Sequence, residues 1–238
     1  MYRLEAYHRP TSVAEALELL APSHRLILAG GTTIRHDGGA EPIEVVDIQA
    51  LALDRIAISG DVIRVGAMVT LQDLTDSSTV PVLIGSAARA ELPSTMRTLA
   101  TVGGTIGAAW PDSLLLTALL VHDTSVHFAD GRSDTLASVL SNGVAAGDLI
   151  VSIEAHISGT TAMAQTGRTP SDDPIVAAAA RTTADGIRLA LCGIAPTPVV
   201  VDDDDLDRIE PPGDFRGSSA YRRHLATVLS ARVIEQLA

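Results

Sequence analysis

Two glycine pairs, each followed directly by threonine, are the residues of this chain whose types and spacing most favour ligand chemistry. The first pair lies in Ala29-Gly30-Gly31-Thr32-Thr33, directly after the apolar run Leu26-Ile27-Leu28. Glycine can adopt φ > 0 and has no Cβ, so the backbone can turn sharply and approach a ligand closely. Successive N–H groups in such a turn can converge on an anion, and threonine hydroxyls add donors. The stretch predicts either a phosphate cradle or a tight strand-to-helix turn without a ligand.

The second pair repeats this chemistry. Thr101-Val102-Gly103-Gly104-Thr105 has a hydroxyl on each side of the glycines, and small residues follow it. Two such loops in one domain could hold a ligand with two phosphates, one loop from each side. We therefore predict a diphosphate ligand gripped between the two loops.

The other reactive residue types lack the company that catalysis or metal binding requires. The seven histidines are scattered, without spacing typical of zinc ligands. Cys192 lies in an apolar run and is interpreted as a packed small side chain. Asp47 is interpreted as a strand-end residue, and Trp110 as either a ring that lies against the ligand or a packing residue. With no acid–base or nucleophilic machinery evident, the pattern fits a protein whose cofactor performs the chemistry.

Composition limits the possible partners. The 238 residues are 46% hydrophobic and 19% charged, which indicates a folded chain with a substantial core, although aromatic residues make up only 3%. The formal charge of −12 argues against nucleic acid or an anionic membrane as partner. A single cysteine excludes an internal disulfide and an iron–sulfur cluster held by this chain alone. No signal peptide or membrane-spanning run is evident, so we expect a cytoplasmic protein.

Local patterns predict a mixture of helices and strands. Ser12 and Glu15, like Thr70 and Asp73, have the spacing of a capping box at a helix start. Glycine-containing turns at positions 60–61 and 130–131 predict two hairpins. The remaining predicted elements are short buried strands at 26–28 and 44–48, helices at 83–92 and 114–121, and a strand at 149–157.

The last third of the chain is less clear. Residues 159–173 are rich in Thr, Gly, Ser and Asp and are predicted to form a loop. Residues 175–181 favour either a helix or a hairpin with 187–194. The acidic run 202–205 is interpreted as a solvated loop. A final helix capped by Ser218 should bury a stripe of Tyr221, Leu225, Val228 and Leu229.

The two glycine segments together resemble the flavin-binding loops of the FAD-binding subunit of molybdenum hydroxylases, the xanthine dehydrogenase and aerobic carbon monoxide dehydrogenase family. The resemblance covers nearly the whole chain, and further matching segments occur in the family's order at 45–48, 63–70, 191–198, 215–218 and 221–225. It implies an α+β fold, with a two-lobed FAD-binding domain of the PCMH type in residues 1–155. A small C-terminal α+β domain, similar to that of carbon monoxide dehydrogenase flavoproteins, would follow in 156–238. The resemblance also favours the hairpin over the helix at 175–194.

The resemblance implies a function as well. FAD would be the cofactor, electrons would arrive from [2Fe–2S] clusters on a separate small subunit, and a molybdopterin-binding large subunit would oxidise the substrate. The flavin would then pass the electrons to an external acceptor. The residues implied to bind FAD are Leu28, Ala29, Gly30, Gly31, Thr32, Thr33, Ile34, Thr101, Val102, Gly103, Gly104 and Thr105.

Two positions depart from the family pattern. The family usually has Asn at the position of Thr105 and Asp at the position of Leu114, and both family side chains contact the flavin nucleotide. Thr105 keeps a hydroxyl, whereas Leu114 offers no polar contact. The alternative is therefore a structural or assembly subunit that has lost or weakened flavin binding. On the family's geometry, Thr105→Asn with Leu114→Asp should tighten FAD binding, and Gly104→Val should abolish it.

Overall fold

The structure is a computed structural model that describes residues 4–22, 24–33, 42–169, 172–202, 206 and 208–238. Its helices are α1 (Val13–Leu20), α2 (Leu71–Asp76), α3 (Val82–Glu91), α4 (Ser94–Arg97), α5 (Val102–Ala108), α6 (Leu114–Val121), α7 (Leu136–Asn142) and α8 (Ser219–Glu235). Its strands are β1 (Leu4–His8), β2 (Arg25–Leu28), β3 (Ile43–Asp47), β4 (Ile56–Ser59), β5 (Val62–Gly66), β6 (Ser125–Phe128), β7 (Ser133–Thr135), β8 (Ile150–His156), β9 (Thr161–Thr166), β10 (Val176–Thr183), β11 (Gly186–Cys192) and β12 (Val199–Val201). Helices and sheets are mixed along the chain, which confirms the α+β class.

The first lobe is a small parallel sheet with α1 packed on it. Its three strands lie in the order β1-β3-β2, and both pairings are parallel. Ser12 begins α1 by accepting a hydrogen bond from the Glu15 N–H, but the Glu15 carboxylate binds Thr11 N, so only half of the predicted capping box forms. The strand predicted at 26–28 exists, yet it is not buried as expected. Leu26 is 38% exposed because β2 is an edge strand of this sheet.

The second lobe is a five-stranded antiparallel sheet surrounded by helices. The strand order is β4-β5-β8-β6-β7, so both predicted hairpins are confirmed. The capping box of Thr70 and Asp73 is complete at the start of α2. Helix α6 is buried along its whole length, as its continuous apolar sequence predicts. The strand β8 lies in the middle of the sheet, where it pairs with β5 and β6.

The C-terminal unit consists of β9 to β12 and α8. Its four strands are antiparallel in the order β12-β11-β10-β9. The alanines of β10 alternate between two cores: Ala177 and Ala179 pack on the α6 side, and Ala178 and Ala180 pack on the α8 side. A strand covered by helices on both faces is apolar throughout, and this is why 175–181 forms a hairpin strand rather than a helix.

One prediction for this unit is wrong, and another is correct only in part. Residues 159–173 are not all loop, because β9 forms within them and pairs with β10 along its length. The Thr and Gln residues of β9 resemble a loop composition, but Ala162 and Ala164 alternate with them and face the core. The helix α8 begins after Ser218 as predicted, and Leu225 and Leu229 of the predicted stripe are buried, but Tyr221 and Val228 are exposed. The other buried residues of α8 are Arg222, Ala226, Ser230 and Val233. The acidic run at 202–205 lies largely outside the described residues.

Candidate functional site

A cavity of about 530 Å³, called here the first cavity, lies between the first and second lobes. The first lobe contributes the end of β2 and the glycine segment after it, together with Ile48 beyond β3. The second lobe contributes Ala67, one face of α5, and the connection from α7 into β8. The volume falls within the range of about 300–1,000 Å³ that is usual for ligand and cofactor sites.

The first glycine segment combines a tight contact between the lobes with unpaired backbone donors. A Cβ on Gly30 would lie 1.7 Å from the carbonyl oxygen of Leu99, so no side chain fits there. Gly31 has φ +71°, which only glycine adopts readily. Within the described part of the chain, the N–H groups of residues 30–33 have no protein acceptor. These N–H groups can therefore serve an anionic ligand, which is one of the two alternatives that the sequence leaves open for this segment.

The second glycine segment is not the loop that the sequence predicts. It forms the first turn of α5, with Thr101 as the N-cap. The N–H groups of this turn already have protein acceptors: Val102 donates to Val69 O (3.0 Å), Gly103 to Ala67 O (2.9 Å), Gly104 to Thr101 Oγ1 (3.1 Å) and Thr105 to Thr101 O (2.9 Å). The segment therefore cannot grip a diphosphate through its backbone amides. It instead offers the Thr101 hydroxyl, whose oxygen accepts from Gly104 N and whose proton has no acceptor among the described residues.

The glycines of α5 differ in what a side chain would meet. A Cβ on Gly103 would lie 2.9 Å from the Cβ of Ala67, so this glycine serves helix packing rather than ligand approach. A Cβ on Gly104 would lie 3.0 Å from Thr101 Oγ1. Gly107 lines the first cavity, and a Cβ there meets nothing within 4 Å. Gly107, which the sequence interpretation missed, is thus the position from which a side chain would grow freely into the cavity.

The predicted binding residues are only partly brought together. The first cavity is lined by Ala29, Gly30, Gly31, Thr32, Thr33, Thr101, Gly103 and Gly104. Leu28 and Val102 do not line it, and Val102 is fully buried. Thr105 lines a neighbouring cavity instead. Ile34 lies outside the described residues.

Several lining residues were not found from the sequence. They come from the connection into β8 and include Val144, Asp148, Leu149 and Ile150. This connection reaches the cavity because β8 pairs with β5 and because Ala67 N donates to Val151 O. No local pattern in the sequence marks these residues, since the contact depends on strand pairing across the whole second lobe.

A second cavity of about 300 Å³ adjoins the first and shares Thr32, Thr33 and Trp110 with it. Trp110 therefore lines both cavities, which favours the ligand-facing interpretation of its ring. Asp112 and Ser113 line the second cavity next to it, together with Glu91 and Asp173. Asp112 is paired with Arg216 of the C-terminal unit at 2.8 Å.

The electrostatics of the two cavities differ from those of an ordinary phosphate site. Among the described residues, neither cavity is lined by an arginine or lysine. Asp148 lines the first cavity, and Arg132 pairs with it at 2.8 Å and with Asp130 at 2.6 Å. These two carboxylates raise the pKa of Arg132, which stays charged and compensates Asp148. An anionic ligand must therefore be held mainly by backbone dipoles and hydroxyls.

Cys192 and Asp47 lie where their interpretation from the sequence expects them. Cys192 is buried, and desolvation raises the pKa of its thiol to about 12, so it is not a nucleophile. Asp47 is a strand-end residue that accepts hydrogen bonds from the Tyr7 hydroxyl and from Gln49 N. In the described ranges, no group of three or more His, Cys, Asp or Glu side chains is arranged to bind a metal. Nor does any described helix combine the length and apolar character that a membrane crossing requires.

Solved structures have the same architecture as this chain. The chain matches a chain of a Cu,Mo-CO dehydrogenase with a TM-score of 0.86 and 22% identity, covering 100% of this chain and 98% of the other. It matches quinoline 2-oxidoreductase from Pseudomonas putida 86 with a TM-score of 0.85 and 22% identity, again over 100% and 98% of the two chains. At this level of identity the matches show a shared fold.

The family is shown by the sequence match. Residues 2–153 match the FAD binding domain in molybdopterin dehydrogenase, and the chain belongs to this family. It is 26% identical to the xanthine dehydrogenase FAD-binding subunit of Escherichia coli O157:H7, over 99% of this chain and 97% of the relative. It is also 29% identical to the uncharacterized protein YgfM of Escherichia coli K12, over 96% and 94%. The chain is an FAD-binding oxidoreductase subunit.

The residues present fit FAD. The N–H groups of residues 30–33, which have no acceptor among the described residues, and the Thr101 hydroxyl can hold its diphosphate, and the open face at Gly107 leaves room for it. The adjoining second cavity extends the space beyond Trp110.

Proposed function

We propose that this chain is the electron-transfer subunit of a molybdenum-containing hydroxylase or dehydrogenase, and that it passes electrons from [2Fe–2S] clusters on a small subunit to an external acceptor. The observation that supports this most strongly is the pair of adjoining cavities. They contain hydrogen-bond donors for a diphosphate. The described lining residues include no histidine, cysteine, arginine or lysine. FAD supplies the electron exchange when it is bound, and the protein binds and orients it.

The proposed binding residues have distinct tasks. The N–H groups of residues 30–33 donate to the diphosphate from the first lobe, and the Thr101 hydroxyl donates from the second. Gly103 keeps α5 close to Ala67, and Gly107 leaves the helix face open to the ligand. The task of the second glycine segment is thus to shape the cavity rather than to supply amides.

We propose that residues 1–155 bind the cofactor and that residues 156–238 form a domain that holds the far wall of the site. Two contacts support this division. Arg216 pairs with Asp112 at 2.8 Å, and Gly193 N donates to Pro111 O at 2.7 Å. Both contacts fix the segment between α5 and α6, which contains Trp110.

The proposed partners are a molybdopterin-binding large subunit and a [2Fe–2S] small subunit. The chain's single cysteine is buried, so it cannot itself hold an iron–sulfur cluster. Electrons must then enter from another chain. The alternative, a structural subunit without flavin, is favoured by Leu114, which is 3% exposed and offers no polar contact. The intact first cavity favours the flavoprotein.

Purification from the native host tests the proposal. We expect a yellow complex in which this chain co-purifies with a molybdopterin chain and an iron–sulfur chain and releases FAD on denaturation. Reduction of the isolated complex by its substrate should bleach the flavin absorbance. A colourless complex that contains all the chains would instead support the structural alternative, and a chain that purifies alone with full dehydrogenase activity would contradict the proposed partners.

A further inference from the structure

Glu91 places a carboxylate in the second cavity. It is the last residue of α3, and its Oε2 accepts a hydrogen bond from Leu115 N at 2.8 Å, at the amino end of α6. Glu91 and the neighbouring Leu114 both line the second cavity, and Leu114, which is 3% exposed, also packs in the core and offers no polar atom. A carboxylate therefore reaches the start of α6 from another helix, although the sequence around position 114 contains none at that point.

This carboxylate has unused acceptor capacity. An ionised carboxyl has about four lone-pair sites, and the Leu115 N–H occupies one of them. The Ser113 side chain and the Leu114 N–H also lower the pKa of this carboxyl, so both favour its ionised form. At least one site is thus left for a ligand that enters the cavity.

The charges around Glu91 favour a neutral ligand group with hydroxyl donors. The other acidic residues of this cavity are Asp112 and Asp173, and the described lining contains no arginine or lysine. A phosphate would be repelled here, whereas a hydroxyl can donate to the carboxylate. The titratable and charged groups near Glu91 include Arg97, Asp112, Asp173, Cys192 and Arg216. Arg89 lies on α3 itself, and Asp73 and Asp76 lie on α2, which packs against α3.

We propose that Glu91 is a cofactor-binding residue that accepts hydrogen bonds from the hydroxyl-bearing chain of the flavin nucleotide in the second cavity. The proposal rests on the proposed function, since it takes FAD as the ligand. Leu114 cannot make a polar contact with the cofactor, and Glu91 of α3 would make it instead. The diphosphate stays in the first cavity, where the unpaired N–H groups lie.

Such a contact makes FAD binding depend on pH. Burial raises the pKa of the Glu91 carboxyl from 4.5 to about 7, and the hydrogen bonds from Ser113, Leu115 and Leu114 oppose the rise only in part. The ionised form accepts two or more hydrogen bonds, whereas the protonated form donates one and accepts more weakly. FAD affinity should therefore increase as the pH rises through the pKa of Glu91.

The test measures the FAD dissociation constant between about pH 6 and about pH 8. The chain has a single tryptophan, Trp110, which lines both cavities, so quenching of its fluorescence reports binding. We expect the FAD affinity of the parent to rise about tenfold from the lower to the upper pH. Glu91→Gln should bind FAD about tenfold more weakly than the parent at the upper pH, and its affinity should not change with pH. Gln keeps an acceptor for Leu115 N, so thermal unfolding should confirm a folded variant. Glu18→Gln, on the exposed face of α1, is the matched control.

Two further arms separate this inference from the proposed function. ADP contains the diphosphate without the flavin's hydroxyl chain, so Glu91→Gln should leave ADP affinity unchanged. Asp173→Asn removes another carboxylate of the same cavity and should keep the pH profile of the parent. If the parent binds FAD but Glu91→Gln retains its pH profile, or Asp173→Asn loses it, the inference about Glu91 is wrong and the flavoprotein assignment stands. If the parent itself binds no FAD at any pH, the proposed function fails as well.

Discussion

Gly30 of the first lobe lies directly against the carbonyl oxygen of Leu99 in the second lobe. A Cβ on Gly30 would come within 1.7 Å of that oxygen and within 2.6 Å of its carbon. The first glycine segment is therefore in backbone contact with the residues that lead into the second, and both segments line the first cavity. The first glycine of the pair is required by this contact between the lobes, whatever ligand the cavity holds.

Gly30→Ala should force the lobes apart. We expect a loss of about 2–3 kcal/mol in the free energy of unfolding, because the added methyl meets backbone atoms that cannot move aside alone. Urea denaturation measures this loss. Unchanged stability would show that the lobes separate without cost and that their contact does not define the cavity.

Gly107→Leu should block the cofactor without harming the fold. Its side chain grows into the first cavity from a helix position with nothing within 4 Å of a Cβ, and leucine favours helix over glycine by about 0.5–1 kcal/mol. We expect unchanged or higher thermal stability and an FAD affinity at least about tenfold lower. This change is cleaner than Gly104→Val, because a Cβ at Gly104 already crowds the Thr101 cap. Parent-like FAD binding by Gly107→Leu would place the ligand outside this cavity.

Thr101 combines a helix cap with a proposed ligand contact. Thr101→Val removes the acceptor of Gly104 N, so α5 should lose about 1 kcal/mol of stability, and FAD should bind more weakly because the donor is lost as well. Thr101→Ser keeps the hydroxyl and is the matched control. A Val variant that is destabilised but binds FAD normally would limit Thr101 to the cap.

A carboxylate at the start of α6 should function whether it comes from position 91 on α3 or from position 114 on α6. Leu114→Asp alone would place a second acid beside Glu91, and we expect it to destabilise the fold by about 2 kcal/mol or more. This replaces the expectation that Thr105→Asn with Leu114→Asp would tighten FAD binding. The exchange Glu91→Leu with Leu114→Asp should recover stability and FAD affinity relative to Leu114→Asp. A double variant no better than the single one would mean that the two positions do not substitute for each other.

The raised pKa of Glu91 also predicts how stability varies with pH. In the unfolded chain the carboxyl ionises near its ordinary value, whereas in the folded chain burial keeps it protonated up to about 7. The folded state therefore binds more protons in this interval, and stability falls as the pH rises through it, by up to about 3 kcal/mol. Glu91→Gln should remove this decline. This decline is measured by denaturation midpoints of the parent, of Glu91→Gln and of the Glu18→Gln control across the interval. If the parent and Glu91→Gln show the same dependence of stability on pH, the pKa of Glu91 is not raised.

Much of the local structure follows from the sequence because its causes are local. The capping box of Thr70 and Asp73 forms as predicted, and the turns at 60–61 and 130–131 produce their hairpins. The apolar run 114–121 is a buried helix, since no face of it could be left in water. The glycine pairs likewise mark the two sides of the site, because few other residues combine sharp turns with close backbone contact.

The sequence also determined the family and the cofactor, since these depend on residue types in a fixed order. Tertiary structure alone decided how the site is built. Whether the N–H groups at a glycine pair can bind a ligand depends on the acceptors that the rest of the chain places near them. Gly103 N donates to Ala67 O and Val102 N donates to Val69 O, whereas the N–H groups of residues 30–33 have no acceptor among the described residues. The strand β9 has a loop-like composition, yet it forms because its backbone pairs with β10 along its whole length. Glu91 meets Leu115 across 24 positions of chain only because α3 packs against α6, a contact set by the shape of the core and not by any local pattern.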